Sequence, residues 1–326
     1  TKNKLHMKTL AFSLGLIAIP FAFLSASPPN FKQVSKQANW VAHIDFQSIL
    51  KSKIGSHVFS EIKKDPNVAQ QIAGIKAALG IDIENLGSAT AYGSGKEDEA
   101  VILAKGGINS SQIEGFASLN ENVQVQERGN QTLYSFKKGA FCKLGPDSVI
   151  MGSNMKLLGH GLDVLSGKSP AQSEKRMTSL LTEMVDQPMA LMTMHLTKVM
   201  TEQERSLSVP EAALLKKTGL MGFALGESGQ SMRMAMVMQA ENEETAVHLE
   251  NILRGASSLM ALGTDIQIQP ELDEILPKMK SSVSRTKKNV GMMIEVETDL
   301  LLEKISEEMQ RRAAKQSISN QDSLPR

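Results

Sequence analysis

The sequence has 326 residues, of which 41% are hydrophobic and 22% charged, the balance of a globular protein with one large domain or two ordinary ones. The formal net charge is +1, and aromatic residues make up 4% of the chain. A chain that is nearly neutral and poor in aromatic residues lacks the basic surface and stacking platforms used in nucleic-acid recognition, so we expect no nucleic-acid partner.

The N-terminal segment is typical of a secretory signal peptide. Three lysines precede the uncharged run LAFSLGLIAIPFAFL, and the small residues SAS follow it. The run is shorter than the roughly 20 apolar residues of an ordinary membrane-spanning helix. We expect translation to start at Met7 and cleavage to follow Ala26, which removes residues 1–26. The alternative is that the segment stays uncleaved as an N-terminal anchor.

The cysteine content limits how the exported chain is stabilised. Cys142 is the only cysteine, so no internal disulfide can form, and it stands in an apolar strand pattern where a thiol is inert. A chain of about 300 residues is long enough to be stabilised by its hydrophobic core alone. No second apolar stretch reaches spanning length, so we expect no transmembrane segment after signal cleavage. These features predict a periplasmic or secreted protein of the bacterial envelope.

The first half of the remaining chain predicts a linker and then one α+β unit. Residues 27–38, SPPNFKQVSKQA, indicate the linker, and the alternation in WVAHIDF predicts a strand with Trp40 and Ala42 on one face. Asp65 and Pro66 predict the start of a helix that ends at Gly80. Two strands, a helix, a hairpin meander marked by the turns ERGNQ and GPD, and the helix MKLLGHGLDVLSG follow.

The second half repeats the order strand, helix, strand, turn, strand, capped helix. MALMTMHL predicts its first strand, a capping box at Ser208 its first helix, and PELDEILPKMKSSV a later helix. The sequence therefore predicts an α+β fold with two similar units, 39–172 and 187–310, each a mainly antiparallel sheet with helices packed on one face. The polar residues 311–326 predict a disordered tail.

The stretch QSMRMAMVMQA places a methionine at every second position, at Met232, Met234, Met236 and Met238. In a strand these four side chains form one row. Thioethers are soft ligands, so an exported row of them could hold Cu(I). Adjacent members of the row are about 6.6 Å apart along the strand, so only neighbours could share an ion. The sequence favours a buried face filled by a flexible apolar side chain, with copper as the alternative.

His43 and Asp45 are the candidate acid and base, because they share a face near the end of the first predicted strand. An aspartate at a strand end is more typically the N-cap of the helix that follows. The sequence contains neither H-E-x-x-H nor G-x-S-x-G, so the common zinc-protease and serine-hydrolase motifs are absent. These observations favour a non-enzymatic protein without a cofactor.

The stretch WVAHIDFQSIL and the repeated plan resemble uncharacterised exported bacterial proteins with a signal peptide and repeated α+β units. The resemblance implies no known activity and no catalytic residue. The sequence thus favours an exported, non-enzymatic envelope protein with a binding or structural role, whose partner is an unknown envelope protein or a small apolar ligand. The alternatives are a hydrolase-like enzyme with a site near His43 and Asp45, and a periplasmic Cu(I)-binding protein that uses the methionine row.

Overall fold

In the part of the chain that the structure describes, twelve strands form one antiparallel sheet with helices packed against it, and this confirms the predicted α+β class. The predicted signal peptide and the capping box at Ser208 lie outside the described residues. The computed structural model describes residues 29–172, 176–199, 216–262 and 275–322.

The strands alternate in burial along much of their length, as expected for a sheet covered by helices. In chain order they are β1 Trp40–Asp45, β2 Ser88–Gly93, β3 Val101–Lys105, β4 Gln124–Arg128, β5 Gln131–Phe136, β6 Gly139–Gly145, β7 Ser148–Gly152, β8 Ala190–His195, β9 Thr218–Ser228, β10 Ser231–Ala240, β11 Lys280–Thr286 and β12 Asn289–Glu297.

The α-helices of the described residues are α1 Phe46–Leu50, α2 Lys53–Ile62, α3 Pro66–Leu79, α4 Ser110–Ser118, α5 Met155–Leu165, α6 Arg176–Met184, α7 Leu196–Val199, α8 Glu243–Leu262 and α9 Thr298–Asp322. Short 3-10 helices are found at Phe31–Gln33, Ile83–Asn85 and Leu276–Lys278.

The strand order shows the two-unit arrangement directly. It runs β11-β12-β10-β9-β8-β1-β2-β3-β7-β6-β5-β4 across the sheet. Counted outward from the middle, β1-β2-β3-β7-β6 corresponds to β8-β9-β10-β12-β11, and helices α4 and α8 follow corresponding strands. Strands β4 and β5 have no counterpart among the described residues of the second unit. The unit boundaries at residues 39–172 and 187–310 stay a prediction.

The two units share one sheet because their first strands pair with each other. β1 and β8 are antiparallel, with Trp40 opposite Met194 and Ile44 opposite Ala190. We call this β1–β8 pairing the seam. An unpaired first strand would leave a row of open backbone hydrogen-bonding groups in each unit, and the seam removes both edges at once.

Helices cover both faces of the joined sheet. Cys142 and Phe141 are neighbours on β6, yet Cys142 packs in a cluster with Leu158 of α5 while Phe141 packs with Ala117 of α4. In the second unit, α6 covers the face of Val237, and α8 covers the face of Met238. We call the two sides the histidine face, which carries His43, and the methionine face, which carries Met232 to Met238.

Local sequence signals account for several helix ends. Asp45 Oδ1 accepts a hydrogen bond from the Ser48 amide (2.9 Å) and caps α1. Asp65 caps α3, which begins at Pro66 and ends at Gly80, as predicted. Gly80 has a φ of 66°, a left-handed conformation that glycine adopts without steric penalty.

The predicted linker at residues 27–38 needs a correction, because its second half belongs to the first unit. Phe31, Val34 and Ala38 are buried in the same cluster as Leu158. The Gln172 amide donates to the Val34 carbonyl (2.7 Å), which fixes the segment against the end of the unit. Apolar residues at every third or fourth position are enough to anchor a segment that otherwise has a linker composition.

Helix α9 continues through Asp322, into residues 311–326, for which a disordered tail stays a prediction. Glutamine, arginine, alanine and lysine are good helix formers, so the backbone can stay helical without an apolar face to signal it. The predicted helix PELDEILPKMKSSV is wrong in its described C-terminal part, where β11 begins at Lys280. This strand is mostly polar because it lies at the edge of the sheet.

Leu158 provides a test of the core of the first unit. Its side chain is 0% exposed. We expect Leu158→Ala to lower the free energy of unfolding by about 2–5 kcal/mol, because it leaves a cavity in a close-packed cluster. Leu119, which is 88% exposed, is the matched control, and Leu119→Ala should change stability by less than about 0.5 kcal/mol. Urea unfolding measures both, and equal losses would contradict this assignment of the core.

Candidate functional site

A continuous row of apolar side chains crosses the methionine face. Each member is directly opposite the next on the neighbouring strand, so all lie on one face of the sheet. From β5 to β11 the row is Tyr134, Phe141, Met151, Ile102, Ala91, Ala42, Met192, Phe223, Met236, Met292 and Val283.

Both ends of this row are covered by helices. Phe141 and Met151 pack against Ile113 and Ala117 of α4. At the other end, Met236 and Met292 pack in a cluster with residues of α8. The middle of the row lies between these two helices, across the seam.

The middle of the row is only half-buried. We call it the seam surface, and it consists of Ile102, Ala91, Ala42, Met192 and Phe223 together with the half-buried residues on either side of them, Trp40, Met194, Ala89, Ala104, Ala190 and Met234. Apart from the indole N–H of Trp40, these side chains carry no hydrogen-bond donor and no charge.

The size of the seam surface follows from sheet geometry. From Ile102 to Phe223 it crosses five strands, which at the usual strand spacing is about 19 Å. From Met194 to Ala190 it extends about 13 Å along β8. These two lengths enclose roughly 250 Å², close to the size of the largest apolar patch on a typical monomer, and such patches are often functional. The arrangement can hold an elongated apolar group by contact, and it offers nothing for acid–base chemistry.

His43 and Asp45 lie on the opposite, covered face. They are 4% and 6% exposed. The Nδ1 atom of His43 lies 2.8 Å from Thr90 Oγ1, and the Asp45 carboxylate caps α1. A substrate would have to open the packing of the histidine face to reach either side chain. The N-cap role of Asp45, which the sequence offered as the alternative to catalysis, is thus present in the structure.

The four methionines of β10 share one face, which confirms that the stretch is a strand with period two. Met232 and Met238 are buried, while Met234 and Met236 are half-buried. Met232 packs with Ile54, and Met238 packs with Leu249. At its two ends the row is therefore core packing. Within the described residues, no group of three or more His, Cys, Asp or Glu side chains could hold a metal ion.

Two other places that could hold chemistry are already occupied by internal contacts. Burial raises the pKa of the Cys142 thiol to about 11, and the Glu114 carboxylate adds to the rise, so the thiolate is suppressed. A polar cleft of about 310 Å³ on the histidine face contains Arg128 and His160. Arg128 is bidentate to Asp163 (2.9 Å), and the Nε2 atom of His160 is 2.8 Å from Ser35 Oγ.

Sequence reasoning missed the seam surface because its residues come from both units. The alternation of Trp40, Ala42 and Ile44 was visible in WVAHIDF, as was that of Met192 and Met194 in MALMTMHL. Neither stretch contains a feature that predicts that these two strands are neighbours in the sheet. The predicted duplication is the signal that could have found it. If each unit begins with a strand that has an open edge, the two first strands can be expected to pair with each other.

Comparisons with known proteins add a weak likeness of fold. No protein-family model matches the chain, and no curated protein matches it. Crystal form III of TP0453 is similar with a TM-score of 0.49 and 11% identity over 86% of this chain and 99% of that chain. For form IV the TM-score is 0.48 and the identity 10%, over 86% and 97% of the two chains. For form I the values are 0.46 and 11%, over 87% and 99%. A likeness this weak identifies neither a family nor a function.

The described part of the chain contains no helix with the length and apolar character needed to cross a membrane.

Substitutions of Met238 and Met234 test whether the methionine row of β10 is divided into buried and half-buried members. Met238 is 4% exposed, so we expect Met238→Ala to lower the free energy of unfolding by about 2–5 kcal/mol. Met234→Ala should lower it by less than about half as much, because part of that side chain already contacts water. Thermal and urea unfolding measure both.

A copper site would behave differently: Cu(I) would raise the melting temperature of the unmodified protein, and Met234→Leu would abolish that rise.

Proposed function

We propose that this is an exported, non-enzymatic protein of the bacterial envelope that binds an apolar ligand on the seam surface. The observation that carries the proposal is the half-buried apolar area between α4 and α8, whose side chains are neither fully covered nor fully exposed. Large apolar side chains are normally buried, and a contiguous exposed group of them is typical of a binding site.

The composition of the seam surface indicates the chemistry of the ligand. Alanines at the centre, such as Ala42 and Ala91, leave room above the sheet, while Met192 and Phe223 supply contact area. Methionine is flexible and adapts to ligands of different shape. A ligand held here would be recognised by its hydrocarbon part, since the seam surface has no group that could pair with a charge.

The N-terminal sequence supports an envelope location. Its basic residues, short apolar run and small residues are the pattern of a secretory signal, and the chain has a single cysteine. An envelope protein partner on the seam surface is the alternative occupant. The burial of His43 and Asp45 and the packing of the methionine row favour this proposal over a hydrolase or a copper protein.

Trp40 allows a direct test of binding, because it is the only tryptophan and lies half-buried at the margin of the seam surface. We expect palmitate to change its fluorescence in a saturable way. Ala91→Glu should weaken palmitate binding by at least about tenfold, because the ligand would bury an unpaired carboxylate. Met192→Gln should weaken it less.

Ala73→Glu, on the exposed side of α3, is the matched control and should bind palmitate like the unmodified protein. Urea unfolding checks that all three variants fold. If palmitate does not bind, or if Ala91→Glu binds it normally, the seam surface is not the site of an apolar ligand. Recovery of one envelope protein with the unmodified chain but not with Ala91→Glu would then assign the surface to a protein partner.

Export is tested separately by the N-terminus of the protein recovered from the envelope fraction. Cleavage after Ala26 leaves Ser27 as the first residue. Intact-mass measurement should give a chain that begins there. Retention of the LAFSLGLIAIPFAFL run together with membrane association would instead establish an N-terminal anchor.

A further inference from the structure

Glu227 is a buried carboxyl group that neither the seam surface nor the core explains. It is the penultimate residue of β9, it pairs with Met232, and it lies on the methionine face. Its side chain is 6% exposed, and within the described residues its carboxylate oxygens make no hydrogen bond of good geometry; the nearest donors are the Thr298 hydroxyl and the Lys53 backbone amide. An ionised carboxylate in such a place is costly unless it is paired.

Three elements meet at this carboxyl group. Lys53 begins α2 and Thr298 begins α9, and both residues lie beside Glu227 at the end of β9. Thr298 is fully buried, and its hydroxyl lies close enough to the Glu227 carboxyl group to favour the ionised form, although the geometry of that contact is poor. The Thr298 amide donates to the carbonyl of Gln230 in the β9–β10 turn (2.8 Å), which sets the start of α9 directly over the hairpin.

The charges that face Glu227 come from the two helices. Lys53 of α2 favours the ionised carboxylate, and Asp299 of α9 opposes it. Lys53 and Asp299 also form a long ion pair with each other (3.8 Å). The Lys53 ammonium is therefore shared between the carboxylates of Asp299 and Glu227. Burial is the largest influence and raises the pKa of Glu227 from 4.5 to about 7, although Thr298 and Lys53 lower it.

The contact between α9 and the rest of the fold is concentrated near this group. Leu301, Leu302 and Ile305 pack in one cluster with Ile54 and Met232. One turn beyond, the Nε2 atom of His57 on α2 is 2.9 Å from Ser306 Oγ on α9. A disturbance at Glu227 therefore acts where α9 is attached to both α2 and the sheet.

We propose that Glu227 is a pH-sensitive switch: its neutral carboxyl group holds the start of α9 against α2 and the sheet, and its ionisation loosens α9. The direction of the pH dependence follows from the linkage between proton binding and the free energy of unfolding. A carboxyl group whose folded-state pKa lies above its unfolded value contributes stability that is fully present below about 4.5, is lost between there and about 7, and changes no further above. Loosening of α9 lets water reach the carboxylate, which lowers the free energy of the ionised form.

Hydrogen exchange of the full chain tests the switch. We expect protection of α9, corrected for the intrinsic pH dependence of exchange, to fall by about tenfold or more between about pH 5 and about pH 8, with about a hundredfold as the limit set by the pKa shift. Glu227→Gln should keep the protection high at both pH values, because it cannot ionise. Protection of β12, which precedes α9, should change much less than that of α9.

Two matched variants separate Glu227 from its neighbours. Glu297→Gln removes an exposed carboxylate next to the start of α9 and should retain the pH dependence. His57→Gln removes the histidine that lies within hydrogen-bond distance of Ser306 between the two helices and should retain it as well. If His57→Gln abolishes the pH dependence, the switch is His57, and the assignment to Glu227 is wrong.

Two outcomes would overturn the proposal outright. One is protection of α9 that does not depend on pH in the unmodified protein. The other is a Glu227→Gln variant whose α9 is unprotected at every pH, since the ionised carboxylate would then be what holds the helices. Should Glu227→Gln fail to fold, a carbon-13 carboxyl titration of the unmodified protein still decides, because the switch requires one glutamate to titrate near neutral pH.

Discussion

The antiparallel pairing of β1 with β8 is the interaction on which the rest of this structure depends. Each strand is the first of its unit and would otherwise be a free edge, where unpaired backbone groups invite association with other chains. The register of the seam places Ala42 opposite Met192. It thereby joins two separate apolar rows into one that crosses the sheet from β5 to β11.

The side chains of the seam are buried on the histidine face and only half-buried on the methionine face. This difference in burial supports a binding role. On the histidine face Val41, His43 and Asp45 are buried, and the N-terminal segment with Phe31 and Val34 completes the cover. On the methionine face α4 and α8 follow the third strand of each unit, so they lie over the outer strands. Duplication of a unit that covers its outer strands leaves the junction between the copies only half-buried by the part of the chain that the structure describes.

Much of this fold could be predicted from the sequence wherever the signal is local. The alternation of β1 and β10, the caps at Asp45 and Asp65, and the turn at Gly80 follow from side-chain chemistry within a few residues. The seam could not be predicted, because its two strands are far apart in the chain. Their pairing is made by backbone hydrogen bonds, which do not depend on which side chains the strands carry. The most apolar side of β1 is also its less buried side, which reverses the usual inference from hydrophobicity to core.

Glu227 and the seam surface are connected through the packing of one cluster. Ile44 and Leu225 continue the strands of the seam surface toward the end of the sheet, and they share a cluster with Leu301 and Ile305 of α9. A helix whose attachment contains a buried, weakly hydrogen-bonded carboxyl group is held less firmly than one attached by apolar contacts alone. Because α9 covers the apolar residues next to the seam surface, displacement of α9 would lengthen the apolar area available to a ligand. If Glu227 acts as proposed, the extent of the seam surface would therefore depend on pH, as would the stability of the fold.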